Sequence, residues 1–143
     1  MALKQISVLV NNQQGALAGV TGRLAARGVN LRALSIADTE RFGILRMIVS
    51  DNQAALEAVR ELGCLTQETE VVGVKIGDAP GKLSEALRVL DEAGINIEYV
   101  YAFCARTVRH AYMVMRVADN AAAERALTAA GYHLITDEDI SRL

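Results

Sequence analysis

The 143-residue sequence has little of what a metal or redox site needs: two cysteines and two histidines. Cys64 and Cys104 form no CxxC pair and no cluster with histidine. Both sit beside apolar residues and are expected to be buried, reduced thiols. His110 and His133 stand 23 positions apart without an i, i+4 partner, whereas zinc takes three or four convergent ligands. No metal and no cofactor is expected. An excess of one charge is also missing, since 15 basic and 17 acidic residues are interspersed for a net charge of −2. Without a basic stripe, neither nucleic acid nor a membrane surface is an expected partner. The longest stretch free of charge, residues 5–22, is broken by four consecutive amide side chains at 11–14, which excludes a membrane span. The apolar stretch 6–10 is too short for a signal-peptide core, so a cytoplasmic location is expected. No GxSxG, P-loop or HExxH occurs, and glycines 15, 19 and 22 lack the spacing of a dinucleotide fingerprint. The run Asp137-Glu138-Asp139 reads as a solvated helix cap rather than an acid–base pair.

What the chain does have is apolar residues, 52% against 22% charged, and a repeat. Moving 66 positions on, Ile6, Val8 and Val10 become Val72, Val74 and Ile76. Asn12 becomes Asp78, Gly15 becomes Gly81, and Gly28-Val29-Asn30-Leu31 becomes Gly94-Ile95-Asn96-Ile97. A two-residue insertion changes the offset to 68, after which Asp51-Asn52 becomes Asp119-Asn120 and Gly63 becomes Gly131. Agreement in strand, turn and helix positions together marks two copies of one unit. No Pro/Ser-rich linker divides them. The expected domains are 1–68 and 69–143.

Each unit reads strand, helix, strand, strand, helix, strand. Ile6, Val8 and Val10 alternate as a half-buried strand does. Leu17, Val20 and Leu24 share a helix face, which Gly28 ends. Residues 31–37 and 44–49 form a hairpin, Asp51 or Asn52 caps a second helix, and a short strand around 64–67 closes the unit. The second unit follows with strands at 71–76, 97–104, 111–117 and 132–136 and helices at 83–93 and 121–130. The fold class is therefore α+β: two ferredoxin-like βαββαβ units in tandem, with antiparallel sheets carrying helices on one face. Ile44, Ile48, Tyr112 and Val114 point away from Leu45, Met47, Met113 and Met115, yet both sets are apolar. The face without helices is expected to need a cover, supplied by a second copy in a homodimer. The second strand of each unit is an edge, and the two are expected to pair within one chain. Tyr99, Tyr101, Phe103 and Tyr112 are four of six aromatics; they suit either a packed sheet face or a ligand wall.

Between first strand and first helix each unit has a glycine turn. One is Asn11-Asn12-Gln13-Gln14-Gly15-Ala16-Leu17, the other Asp78-Ala79-Pro80-Gly81-Lys82-Leu83. A helix N-terminus offers unpaired N–H groups to a carboxylate, and glycine admits a ligand close to the backbone. Asn12 or Asp78 can meet an ammonium group. These features suit a free amino acid.

Asp78-x-Pro80-Gly81-x-Leu83, followed by a helix and Gly94-Ile95-Asn96-Ile97, resembles the ACT domain. The first unit matches more loosely through Gly15-x-Leu17 and Gly28-Val29-Asn30-Leu31, with Asn12 in place of the acid and Gln14 in place of the proline. The resemblance covers the whole chain as two tandem domains. It implies a regulatory module that binds an amino acid where two domains pair, through the glycine loop and the start of the second strand. Carried over, it suggests one site from Asn11, Asn12, Gln14, Gly15, Ala16, Leu17 and Asn30. The other would use Asp78, Ala79, Gly81, Lys82, Leu83 and Asn96. ACT domains are often attached to an enzyme, but the two units occupy the entire sequence. The expectation is a non-catalytic regulatory protein acting on an enzyme or transcription factor. A ligand-free oligomerisation or adaptor module is the alternative, and an enzyme on this scaffold a third.

Overall fold

The computed structural model describes residues 3–104 and 109–142. The chain divides into two compact units, Lys4–Thr69 and Glu70 onward, with Leu3 packing in the second.

The first unit contains β1 (Leu3–Asn11), α1 (Ala16–Ala26), β2 (Leu31–Asp38), β3 (Phe42–Val49), α2 (Asn52–Glu61) and the start of β4 (Thr66–Gly77). Its strands lie in the order β2-β3-β1-β4. The antiparallel register Ile6↔Met47 and Val8↔Leu45 puts those side chains on one face. There they form a buried core with Val20 and Leu24 of α1 and with Ala55, Leu56 and Val59 of α2. Burying each large aliphatic side chain stabilises the unit by about 1.5–3 kcal/mol.

The second unit continues β4 and adds α3 (Lys82–Glu92), β5 (Ile97–Ala102), β6 (His110–Val117), α4 (Asn120–Ala129), β7 (His133–Leu134) and α5 (Asp137–Ser141). Its order, β7-β4-β6-β5, repeats that of the first. Val72, Val74 and Ile76 share a core with Met113, Met115 and Val117 of β6, Ala86 and Leu90 of α3, and Ala123 and Leu127 of α4. The ferredoxin-like pattern read from the sequence is thus present twice.

Three features differ from the sequence expectations. The strands expected near 64–67 and at 71–76 are one strand, β4, because residues 66–72 contain no glycine or proline to turn the chain. On the sheet face away from the paired helices, Ile44 and Tyr112 are half-buried, but Ile48 and Val114 are buried within the single chain. In the second unit part of this face is taken by α5, whose Asp139, together with Arg142 just beyond it, lines a cleft with Lys75 and Tyr112. Finally, Cys104 is exposed and Cys64 only half-buried. Alternation past the end of β5 buries Phe103 and turns the next residue, Cys104, to solvent.

The aromatic strand residues pack on one another. Tyr99 and Tyr101 stack at 6.3 Å between ring centroids, and Phe103 meets Tyr112 edge-on at 6.3 Å. Asp137-Glu138-Asp139 begins the short helix α5, as expected of a cap.

Candidate functional site

Five helices are described, and their N-termini are of two kinds. Asp51 caps α2 through Oδ1, which accepts from the Ala54 N–H at 3.1 Å. Asp119 caps α4 in the same way, accepting from Ala122 at 3.1 Å. Thr136 and Asp139 cap α5 reciprocally. The remaining two, α1 and α3, follow the glycine turns and have no side-chain cap. Gly15 and Gly81 stand at their N-cap positions with φ 83° and 88°, left-handed backbone that glycine adopts without strain. The first helical N–H of each is used locally, by Ala16 to the Gln13 carbonyl and Lys82 to the Ala79 carbonyl. Those of Leu17, Ala18, Leu83 and Ser84 have no acceptor among the described residues. Two helix N-termini therefore keep donors and a positive dipole end for an anion.

The turns are held in place identically. The Asn12 N–H donates to the Arg41 carbonyl at 2.9 Å and the Asp78 N–H to the Arg109 carbonyl at 2.8 Å, tying each turn to the hairpin of its own unit. Asn12 adds a long side-chain bond, Nδ2 to the Thr39 carbonyl at 3.4 Å. Asn12, Gln14, Gly15 and Leu17 are exposed along one turn and Asp78, Ala79, Gly81 and Lys82 along the other, with Ala16 and Leu83 half-buried.

Asn30 and Asn96 are placed elsewhere. Asn30 precedes β2, whose first residue pairs with Val49, while Asn11 at the turn pairs with Phe42. Seven residues of β3 separate these ends, about 23 Å at 3.3 Å per residue. Within one unit, Asn30 and the glycine turn do not reach the same small ligand. Asn30 is fixed by Ser50, its N–H donating to Oγ at 2.9 Å and its carbonyl accepting the Ser50 N–H at 2.9 Å. The residue that matches Ser50 in the second unit is Ala118, so Asn96 lacks that hydroxyl partner.

Each turn also borders a cleft that the sequence reading did not name. In the first unit the cleft, of about 500 Å3, runs from Asn11, Gln13, Gly15 and Ala16 past Leu9, Gly19 and Phe42 to Leu62, Cys64 and Leu65. In the second unit a cleft of about 390 Å3 is lined by Lys75, Gly77, Lys82, Glu85, His110, Tyr132 and His133. By the repeat offsets these are the same positions: Leu9 matches Lys75, Ala16 Lys82, Gly19 Glu85, Phe42 His110, Cys64 Tyr132 and Leu65 His133. The signal was present in the sequence as a change from apolar or small residues to charged and polar ones between the copies. Recognising it requires knowing that the end of the second helix lies beside the glycine turn.

The family model described as an ACT domain pair matches residues 1–143. Over 109 residues the chain is 29% identical to an acetolactate synthase small subunit of Mycobacterium avium, covering 72% of this chain and 65% of that one. Over 69 residues it is 33% identical to a probable acetolactate synthase small subunit of Archaeoglobus fulgidus, covering 46% and 43%. The chain thus spans between 43% and 65% of the length of these two curated relatives. A protein of Bacteroides thetaiotaomicron of known structure is 35% identical with a TM-score of 0.91, covering 100% of this chain and 98% of its own. The fold is also that of the ligand-free regulatory subunit of aspartate kinase from Thermus thermophilus, at TM-score 0.67 and 22% identity over 91% and 93%. The family match takes in both repeats and the strand that links them, and the chain belongs to the ACT domain pair family.

Proposed function

We propose that the protein is a non-catalytic regulatory module that binds a small ligand of the free amino-acid class at its glycine turns. The observation that carries this reading is the contrast between helix N-termini. Carboxylates of the chain itself fill those of α2 and α4, whereas α1 and α3 leave theirs open behind a glycine. A ligand carboxylate would do for α1 and α3 what Asp51 and Asp119 do for the others. Beside them Asn12 and Asp78 supply oxygens for an ammonium group.

The separation of Asn30 from the turn supports a site completed by a second domain. If β2 pairs antiparallel along its full length with β2 of another copy, Leu31 lies opposite Asp38 of that copy. Asn30 of the partner subunit then comes to the Thr39 end, where Asn12 is tied. The two relatives named as acetolactate synthase small subunits support a catalytic subunit as the regulated partner.

The test is a screen of free amino acids at millimolar concentration by thermal shift and calorimetry. A ligand at 100 times its Kd adds about 2.7 kcal/mol, a rise in Tm of roughly 5–10 °C for a chain of this length. If no amino acid moves the transition, a ligand-free adaptor is the better reading.

A further inference from the structure

The second repeat is an internal control on the first. At the cleft beside the glycine turn the same backbone carries Lys75, His110 and His133 in one copy and Leu9, Phe42 and Leu65 in the other. The fold therefore does not require apolar residues there. Yet the large apolar side chains exposed among the described residues all belong to the first unit. Three of them, Phe42 at 40% exposure, Leu62 at 39% and Leu65 at 73%, line this cleft. Phe42 and Leu65 are kept in water where the twin site holds His110 and His133, and Leu62 stands where the twin has the small Ala130; such an exposed apolar cluster marks a surface that binds something.

The cleft's size and layout indicate what it binds. Its volume of about 500 Å3 falls in the range of small-molecule sites. One end is polar, formed by Asn11, Gln13 and the glycine turn, and the other apolar. The second-unit cleft differs in shape as well as charge. Lys82 lies across Gly77, where a Cβ would stand 3.1 Å from its Cγ, and its ammonium pairs with Glu85 at 3.5 Å.

We propose that the first-unit cleft takes the aliphatic or aromatic side chain of a small amphiphilic ligand, and that the second-unit cleft does not. The polar end of that ligand rests on the amino-acid reading above; the apolar end rests on the cleft alone.

Cys64, half-buried in the cleft lining, reports occupancy. In a Cys104→Ser chain it is the sole thiol, and its maleimide labelling rate is measured with leucine, phenylalanine, aspartate, lysine or 3-methylbutan-1-ol. Leucine or phenylalanine should slow labelling at least fivefold, and aspartate and lysine should not. Phe42→His with Leu65→His should abolish the protection. Both positions are exposed, and circular dichroism with the Tm checks that the fold is retained. Protection by the alcohol with none from any amino acid supports the cleft and removes the amino-acid reading. An amino acid that binds by calorimetry without protecting Cys64 keeps that reading and overturns the cleft. A double variant that alters self-association but leaves protection unchanged also overturns it.

Discussion

Gly15 and Gly81 show how little a side chain at the turn is limited by space and how much by backbone. A Cβ at either would meet nothing within 4 Å, so the cost of substitution comes from φ 83° and 88° alone. Left-handed backbone costs an L residue about 1–2 kcal/mol, more for a β-branched one and less for asparagine. We expect Gly81→Val to lower the Tm by several degrees and amino-acid binding at the second-unit turn at least tenfold, and Gly81→Asn to keep most of the stability. If Asn also keeps the affinity, the turn needs only its φ; if affinity falls while the Tm holds, the ligand needs the bare backbone. Calorimetry and melting curves on both variants decide. The glycines were legible in the sequence because the repeat prints them at the same offset as the flanking strand. The cleft residues Leu62 and Leu65 were not, because they follow a helix and carry no motif of their own.

At the scale of elements, periodicity and capping were enough to place most strands and helices. Asp51 and Asp119 cap as their pattern predicts, and the alternation in β1 and β3 gives the buried face. Two things escaped: the continuity of β4, and how the helix α5, whose start the acidic run marks, is held. That short helix is held by side chains rather than length. Asp139 accepts from the Thr136 N–H at 2.9 Å and its hydroxyl at 3.1 Å and meets His133 Nε2 at 3.2 Å, while Thr136 Oγ1 accepts the Asp139 N–H. The Thr136 N–H foremost, then its hydroxyl and His133, hold the Asp139 carboxyl below its ordinary value of 3.8, against the opposing pull of desolvation. A depressed folded value means that the stabilisation is present above the unfolded value and is lost as pH falls through the folded one. The protection factors of the α5 amides, hydrogen-exchange rates divided into the intrinsic rate at each pH, should fall on acidification below about pH 4, and an Asp139→Asn variant should show a flatter dependence there. Thr136→Ala should destabilise α5 by about 1 kcal/mol at neutral pH. Equal acid sensitivity of the variant and the parent chain would remove Asp139 from the account.

The whole molecule poses the question of assembly, and the structure changes the argument for it. Exposed apolar sheet faces were the sequence-level reason to expect a homodimer, but Ile48 and Val114 are already buried in one chain. The reason that remains is the edge of the first unit. Among the described residues of its unit β2 pairs with β3 alone, and it leaves Leu34 37% and Ile36 48% exposed, an arrangement that invites another strand. In the proposed dimer, pairing two β2 strands antiparallel would satisfy that edge and would join Asn30 of the partner subunit to the glycine turn across a distance one unit cannot span. Assembly and ligand binding would then be coupled, because each would stabilise the same paired state. Light scattering at micromolar concentration should give the mass of two chains, and Leu34→Asp with Ile36→Lys should halve it and weaken amino-acid binding at least tenfold. Asn30→Ala should weaken binding while the dimer persists, which separates the residue's contact with ligand from its place in the interface. A parent chain that scatters as a monomer and still binds its ligand with Asn30 replaced would show that one unit suffices, and the paired-domain site would fall.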